Sequence, residues 1–195
     1  GRQLSLVISI VSHGHGAEVE CLLEELAFAV PPCLTRVVLT QNLPEPAPRL
    51  AGINLPFVLE LRTNAQPLGF GANHNRALCA AIEECVGVVN PDVRLRGCEP
   101  FTALTVAAAQ PGVACAYPRQ WSQVGCRQDS ERELPTPWKL FLRNVLRRRE
   151  IAPDWVNAAC LVMRRSVWEQ LGGFDERYFM YCEDVDHSLR LRSQV

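Results

Sequence analysis

The chain has 195 residues, with 20 Lys or Arg against 21 Asp or Glu, and a formal net charge of −1. This length is enough for one domain with a substantial core, so residues 1–195 are predicted to form a single domain. The balanced charge argues against a nucleic-acid-binding protein, and no apolar run is long enough to span a membrane.

Strand-like and helix-like segments alternate through the first half. Continuous apolar runs predict buried strands at 4–11, 34–39, 57–61, 86–89 and 113–117. Residues 4–11 lack a basic n-region and a cleavage site, which favours a strand over a signal peptide. Helices are predicted at 17–30, from about 73 to 85 and at 100–109, with a proline-rich loop at 43–56.

Such alternation predicts an α/β fold, with a mostly parallel central sheet flanked by helices. In sheets of this kind, ligands bind at the carboxyl ends of the strands. Three polar segments follow predicted strands and therefore mark the expected site: 12–15, 41–42 and 90–92.

The second half is predicted to contain an irregular segment at 119–137, a strand-like segment at 155–163 and a short helix at 167–171. Gly172 and Gly173 would end that helix, and a further helix is predicted to begin at Glu183. The basic amphipathic helix predicted at 138–149 has two interpretations. It could make a peripheral membrane contact, or it could pack its apolar side onto the domain with its arginines in water, which is favoured.

Nine cysteines are scattered along the chain without a CxxC pair. Because most stand beside apolar residues, they are predicted to be buried thiols, which argues against a zinc site. Buried free thiols suit a reducing compartment, so the expected location is the cytoplasm. A membrane contact through 138–149 would put the protein at the inner face of the membrane.

The tripeptide Asn90-Pro91-Asp92 follows a buried valine-rich strand. A carboxylate at a strand end suits a hard divalent cation such as Mg²⁺ or Mn²⁺, which would bridge nucleotide phosphates. Taken alone, the tripeptide also fits a simple Asx-Pro turn with Asp92 on the surface.

Three carboxylates and a histidine crowd into Glu183, Asp184, Asp186 and His187. One acidic residue in a first helical turn would satisfy the helix dipole, so a cluster of three suggests an additional role. A carboxylate reaching into a cleft could take a proton from an attacking hydroxyl, and crowding of like charges would raise its pKa.

The segment Asn64 to Asn75 reads NAQPLGFGANHN, with glycines ahead of a helix. Glycines at this place permit close backbone approach to a ligand, and helix N-termini favour phosphate. Asn64, Asn73 and Asn75 could instead simply cap the helix.

Taken in order, the segments VISIVSHGH, VVLTQN, NAQPLGFGANHNRAL, NPDV and GGFDERYFMYCEDVD resemble family 2 glycosyltransferases of the GT-A fold. The likeness covers most of the chain and is most specific in the last segment. It points to the bacterial rhamnosyltransferase-like and galactofuranosyltransferase-like branch. It implies a nucleotide-sugar-binding half at 1–118 and an acceptor-side half at 119–195, which is expected to be truncated at its C-terminus.

The resemblance also implies roles for individual residues. Asp92 would hold the divalent metal on the diphosphate of the sugar-nucleotide donor. The remaining donor-side residues would line the base, ribose and phosphates: Ser12, His13, Asn42, Asn64, Gly69 and Asn73. Glu183 would be the general base of an inverting transfer to a glycan or lipid-linked acceptor, and Asp184 would orient it or bind the acceptor.

Two departures from the family pattern support other hypotheses. The family's second strand commonly ends in Asp-Asn, whereas Thr40-Gln41-Asn42 has no carboxylate, and His13-Gly14 stands where Tyr-Asn is frequent. A non-catalytic GT-A module that binds sugar-nucleotide or glycan is therefore the main alternative, although such a module has no use for Glu183. A nucleotidyltransferase is disfavoured because the first turn has no Lys or Arg. Neither the sugar, the nucleotide nor the oligomeric state can be read from the sequence.

Overall fold

The computed structural model of the chain describes residues 2–97, 99–113, 115–117, 160–170, 172–173 and 182–184. Within these ranges, seven strands form one sheet: β1 (Leu6–Ser12), β2 (Leu34–Gln41), β3 (Val58–Thr63), β4 (Cys85–Val89), β5 (Cys115–Tyr117), β6 (Cys160–Arg164) and β7 (Cys182–Asp184). The helices of the same ranges are α1 (Gly16–Ala29), α2 (Phe70–Leu78), α3 (Phe101–Ala108) and α4 (Arg165–Gln170).

The strand order is β3-β2-β1-β4-β6-β5-β7. Strands β1 to β4 pair in parallel, β6 runs antiparallel to both of its neighbours, and β7 pairs in parallel with β5. All these strands except β6 therefore point the same way. We call the side where they end the carboxyl edge and the opposite side the amino edge. The predicted mostly parallel α/β sheet is confirmed.

The core lies on both faces of β1 and β4, whose residues are all buried. Helix α1 covers one face with Val19, Leu22, Leu23 and Leu26, which recur at helical spacing. Each fully buried leucine contributes about 2 kcal/mol through removal of apolar area from water. The helix ends at Val30, a left-handed residue whose N–H bonds to Leu26 O at 3.0 Å, just before two prolines.

Two predicted helix boundaries are wrong. Helix α2 begins at Phe70 and ends at Leu78, because the chain must leave the helix to carry Glu83 to Arg36 on β2. Glu183 and Asp184 lie in a strand rather than at a helix start, since Ala116 of β5 pairs with Glu183. At Glu183 and Asp184, strand pairing thus overrides the local acidic pattern that had indicated a helix start.

The cysteine prediction holds in part. Cys33, Cys85 and Cys160 are buried free thiols, and burial raises their pKa values to about 11, 11 and 12. The prediction is wrong for Cys21 and Cys79, which are exposed. Cys115 is buried as predicted, but it is disulfide-bonded and not a free thiol.

No helix within the described ranges is both long and apolar enough to cross a membrane. The predicted helix at 138–149 lies outside the described residues, as do Asp186 and His187. The single-domain organisation and its division near residue 118 stay predictions.

Candidate functional site

The turn after β1 is held by its own side chains. Gly14 has a φ of +78°, a left-handed conformation that favours glycine. The Oγ of Ser12 accepts a hydrogen bond from the N–H of His15 at 3.0 Å, and the N–H of His13 donates to His15 Nδ1 at 3.1 Å. Ser12 is fully buried, so in this structure it shapes the turn that leads into α1.

Asn42, directly after β2, joins two further segments. Its Oδ1 accepts hydrogen bonds from Leu68 N and Asn64 Nδ2, both at 2.8 Å, and its Nδ2 donates to Leu68 O at 3.0 Å. The side-chain amide thus pairs with the backbone of Leu68 as a neighbouring strand would. The loop before α2 is thereby tied to the end of β2.

Asn73 completes this frame from inside α2. Its Oδ1 accepts from Asn64 Nδ2 at 2.6 Å, and its Nδ2 donates to Leu68 O at 3.2 Å. Gly69 is the N-cap of α2, and no side chain makes a capping hydrogen bond there. Asn64 and Asn73 therefore do not act as caps, and among the described residues no side chain accepts a hydrogen bond from the N–H groups of the first turn of α2.

The frame determines the tautomer of His13. Because the N–H of Leu68 can only donate, Asn42 Oδ1 faces Leu68 and Nδ2 faces His13 Nδ1, 3.0 Å away. Nδ1 must then accept, which leaves the proton on Nε2. Burial lowers the pKa of His13, and nearby His15 lowers it further, while Glu45 opposes them. A neutral imidazole with an Nε2–H donor results.

A second histidine lies beneath this frame. His74 of α2 is 1% exposed, and its Nδ1 is 2.8 Å from the Oγ of Ser9 on β1. Burial, together with the proximity of His13, lowers the pKa of His74 to about 3. The imidazole is therefore neutral and structural at ordinary pH, a role for which the sequence offers only its position between two asparagines.

Asp92 lies in a turn after β4, where Val93 N donates to Asn90 O at 3.2 Å. Its side chain reaches solvent, yet the protein displaces enough water around the carboxyl to raise its pKa, against the opposing charges of Arg94 and His15. His15 belongs to the β1 turn, so Asp92 and that turn share one patch of the carboxyl edge.

The side chains at Asp92 suit a cation that is coordinated by both the protein and a bound ligand. No group of three His, Cys, Asp or Glu in the described ranges could hold a metal by itself. Asp92 has no ion-pair partner among the described residues, and neighbouring Asn90 is buried with Nδ2 unpaired in the same part of the chain. Magnesium is commonly bound by one or two carboxylates plus substrate phosphates, and this arrangement suits that mode.

The backbone of Glu183 and Asp184 lies at the end of β7. Since β7 runs parallel to β5, this end belongs to the carboxyl edge that also carries Asn42 and Asp92. Three strand spacings, about 14 Å, separate β7 from β4 within the sheet. A ligand the size of a sugar diphosphate could lie between them.

The structure thus unites most predicted donor-side residues in one frame and brings Glu183 and Asp184 to the same edge. It adds partners that the sequence analysis missed: the backbone of Leu68 and the side chains of His15, His74 and Glu45. His15, Leu68 and His74 lie inside segments that the sequence analysis singled out, but their partners could not be read from the sequence; Glu45 lies outside those segments.

No protein-family model matches the chain. The N-acetylglucosaminyl-diphospho-decaprenol L-rhamnosyltransferase of Mycobacterium tuberculosis strain H37Rv is 28% identical over 215 residues, covering 95% of this chain and 70% of that protein. The rhamnosyltransferase WbbL of Escherichia coli K12 is 47% identical over 38 residues, covering 20% of this chain and 14% of that protein.

The fold is similar to that of the mannosyltransferase PcManGT from Pyrobaculum calidifontis, solved with GDP-Man and Mn²⁺. The TM-score is 0.59 at 15% identity, over 90% of this chain and 48% of that chain. The chain therefore has the GT-A fold. The chain spans about half the length of the solved structure, and the two sequence relatives described above are named as rhamnosyltransferases. The predicted fold family is confirmed.

Proposed function

We propose that this protein is a glycosyltransferase of the GT-A fold, which transfers a sugar from a nucleoside-diphosphate donor to an acceptor hydroxyl with inversion at the anomeric carbon. The observation that supports it is the hydrogen-bonded frame of His13, Asn42, Asn64 and Asn73 beside Asp92, on the edge where β7 also ends. The names of the relatives favour rhamnose as the sugar and a polyprenyl-diphosphate-linked glycan as the acceptor.

The nucleoside would lie against the turn at 13–15 and the end of β2. There the Nε2–H of His13 is available to donate to a carbonyl of the base. The diphosphate would approach the first turn of α2, whose N–H groups have no side-chain cap and favour an anion. Asn42, Asn64 and Asn73 hold these two segments together and so preorganise the pocket.

Asp92 would hold a Mg²⁺ or Mn²⁺ ion against the donor phosphates. When bound, such a cation neutralises the charge that develops on the departing diphosphate, so that no general acid is required. The raised pKa of Asp92 reflects a carboxylate poorly compensated by its own protein. A cation would reverse that shift by favouring the ionised form.

Glu183 would act as the general base. The acceptor oxygen forms a bond to the anomeric carbon from the face opposite the diphosphate, while the bond from that carbon to the diphosphate oxygen breaks. The hydroxyl proton passes to the Glu183 carboxylate. Asp184 would orient Glu183 or bind the acceptor.

Donor binding tests this proposal. Calorimetry against UDP-, dTDP- and GDP-sugars, with and without Mn²⁺, should reveal metal-dependent binding of one nucleotide class. Asp92→Ala should weaken it at least about tenfold, because the metal loses its protein ligand. Glu24→Gln, on the exposed side of α1, is the matched control and should bind as the wild type does. No metal-dependent binding by the wild type would contradict the proposal and favour a non-catalytic glycan-binding module.

A further inference from the structure

The segment after β2 folds back onto the carboxyl edge. Gln41 Nε2 donates to Pro46 O at 2.9 Å, which ties the start of this loop to the end of β2. Glu45 stands between Pro44 and Pro46, and proline restricts its own φ and the conformation of the residue before it. The backbone of Glu45 is therefore held in place more firmly than its loop position suggests.

The Glu45 carboxylate lies against the β1 turn. A methyl group on Gly14 would stand 4.0 Å from Glu45 Oε2, and the charge of Glu45 acts on His13. Histidines 13 and 15 are the titratable groups of this turn, with their ring centroids 6.1 Å apart. Glu45 therefore borders the place where the nucleoside is proposed to bind.

Glu45 Oε2 is buried, and within the described part of the chain it has no hydrogen-bond partner. A buried acceptor without a donor is destabilising, and more so when it carries charge. Nor does an arginine of the described residues pair with it, unlike Glu83 at the other edge. Such an atom is explained when a ligand supplies the missing donor.

The nucleoside would be the part of the ligand that donates this hydrogen bond. In doubly wound folds, a carboxylate near the end of the second strand accepts a hydrogen bond from ribose, close to the first strand–helix turn. Thr40-Gln41-Asn42 offers no carboxylate at that strand end. Glu45 brings one back to the same edge from three residues further on.

We propose that Glu45 is a specificity-determining residue that accepts a hydrogen bond from the nucleoside of the donor, either from a ribose hydroxyl or from a base N–H. This inference rests on the proposed function, since it assumes that a nucleotide binds at the carboxyl edge. It separates the donor site into a metal–diphosphate part at Asp92 and a nucleoside part at Glu45.

The test compares the wild type with Glu45→Gln and Glu45→Ala. Calorimetry with Mn²⁺ would use UDP, dTDP and GDP as nucleotides, and inorganic pyrophosphate as a ligand without a nucleoside. Both variants should bind the preferred nucleotide about ten- to a hundredfold more weakly, because a charge-assisted hydrogen bond is lost. Pyrophosphate affinity should stay at the wild-type value.

Analogues of the preferred nucleotide then identify which of its groups donates the hydrogen bond to Glu45. If a ribose hydroxyl donates this hydrogen bond, a deoxyribose analogue that lacks the hydroxyl should bind the wild type and Glu45→Gln equally well. If a base N–H donates it, an analogue with that nitrogen methylated should bind the two proteins equally well.

Thermal unfolding without ligand provides a second measurement. Glu45→Gln removes the charge of a half-buried carboxylate whose Oε2 has no partner among the described residues. The Tm of the free protein should therefore be unchanged or higher, whereas a structural role for Glu45 would lower it. Nucleotide binding by Glu45→Gln equal to wild type would overturn the inference while leaving the proposed function intact. Failure of the wild type itself to bind any nucleotide would overturn both.

Discussion

The two edges of the sheet use their charged residues in opposite ways. At the amino edge, Arg36 donates from two nitrogens to Glu83, at 2.8 and 3.1 Å, and from a third to Glu60, at 2.8 Å. At the carboxyl edge, no arginine among the described residues forms an ion pair with Glu45 or Asp92, and Glu45 Oε2 is buried without a hydrogen-bond partner in the same part of the chain. Charges paired within the protein stabilise the fold, whereas unpaired ones at a cleft are available to a ligand.

The pKa values follow the same division. Burial raises the pKa of Glu83, but hydrogen bonds from Arg36 and from backbone N–H groups outweigh it and leave the pKa lowered. Burial raises the pKa of Asp92, and the weaker opposing charge of Arg94 does not compensate. A carboxylate thus stabilises the fold at the amino edge and, as we propose, contributes to ligand binding at the carboxyl edge.

The largest expected effect is on turnover. Glu183→Gln keeps the shape of the side chain but cannot accept the acceptor proton, so kcat should fall about 10²- to 10⁴-fold. The Kd for the donor should not change, which separates this variant from Asp92→Ala. Turnover and calorimetry on the same preparation measure both.

The control for this prediction is Glu169→Gln, which alters an exposed carboxylate on α4. It should keep wild-type turnover. A Glu183→Gln enzyme with wild-type kcat would mean that another group is the base and that β7 does not contribute it.

Breaking the amino-edge cluster should affect stability alone. Arg36→Met leaves Glu83, with 8% of its side chain exposed, without its partner, and should lower the free energy of unfolding by about 3 kcal/mol. Urea denaturation measures this loss. Donor affinity, measured well below the transition, should match wild type; a parallel loss of binding would show that the two edges are not separate.

Acid should weaken the fold through His74, under the carboxyl edge. Its folded pKa of about 3 lies below its ordinary value of 6.5, so the unfolded chain binds a proton at a pH where the folded chain does not. Stability from His74 is therefore complete above pH 6.5 and decreases as pH falls toward 3. Between pH 6.5 and 5 the decrease is about 2 kcal/mol. His74→Asn, studied by urea denaturation at both pH values, should show a smaller decrease; an equal one would assign the effect to other groups.

The smallest expected effect concerns the contact between the chain's two halves. Gly172 and Gly173 both have positive φ, at 67° and 82°, and a Cβ on Gly173 would also overlap the side chain of Asn75 on α2. Alanine at either position pays about 1 kcal/mol of backbone strain. In urea denaturation, Gly173→Ala should be about 1 kcal/mol less stable than Gly172→Ala, because only Gly173→Ala overlaps Asn75. Equal stabilities of the two variants would mean that Asn75 moves aside freely.

The amino-acid sequence by itself determined most elements of the first half. Apolar runs and helical spacing are local properties, so β1, β2, β4, α1 and α3 lie within a few residues of their predicted positions. The polar residues that follow these strands could likewise be assigned to one edge, because parallel strands end on the same side.

Only the tertiary structure decided the pairings between distant segments. The antiparallel β6, the strand at Glu183, the pairing of Asn42 with Leu68 and the placement of Glu45 against Gly14 have no local signature. Each depends on which side chains of remote segments meet, and a hydrogen bond across 26 residues leaves no periodicity in the sequence. The physical reason is that hydrophobic patterning specifies which face of an element is buried, whereas packing specifies its neighbours.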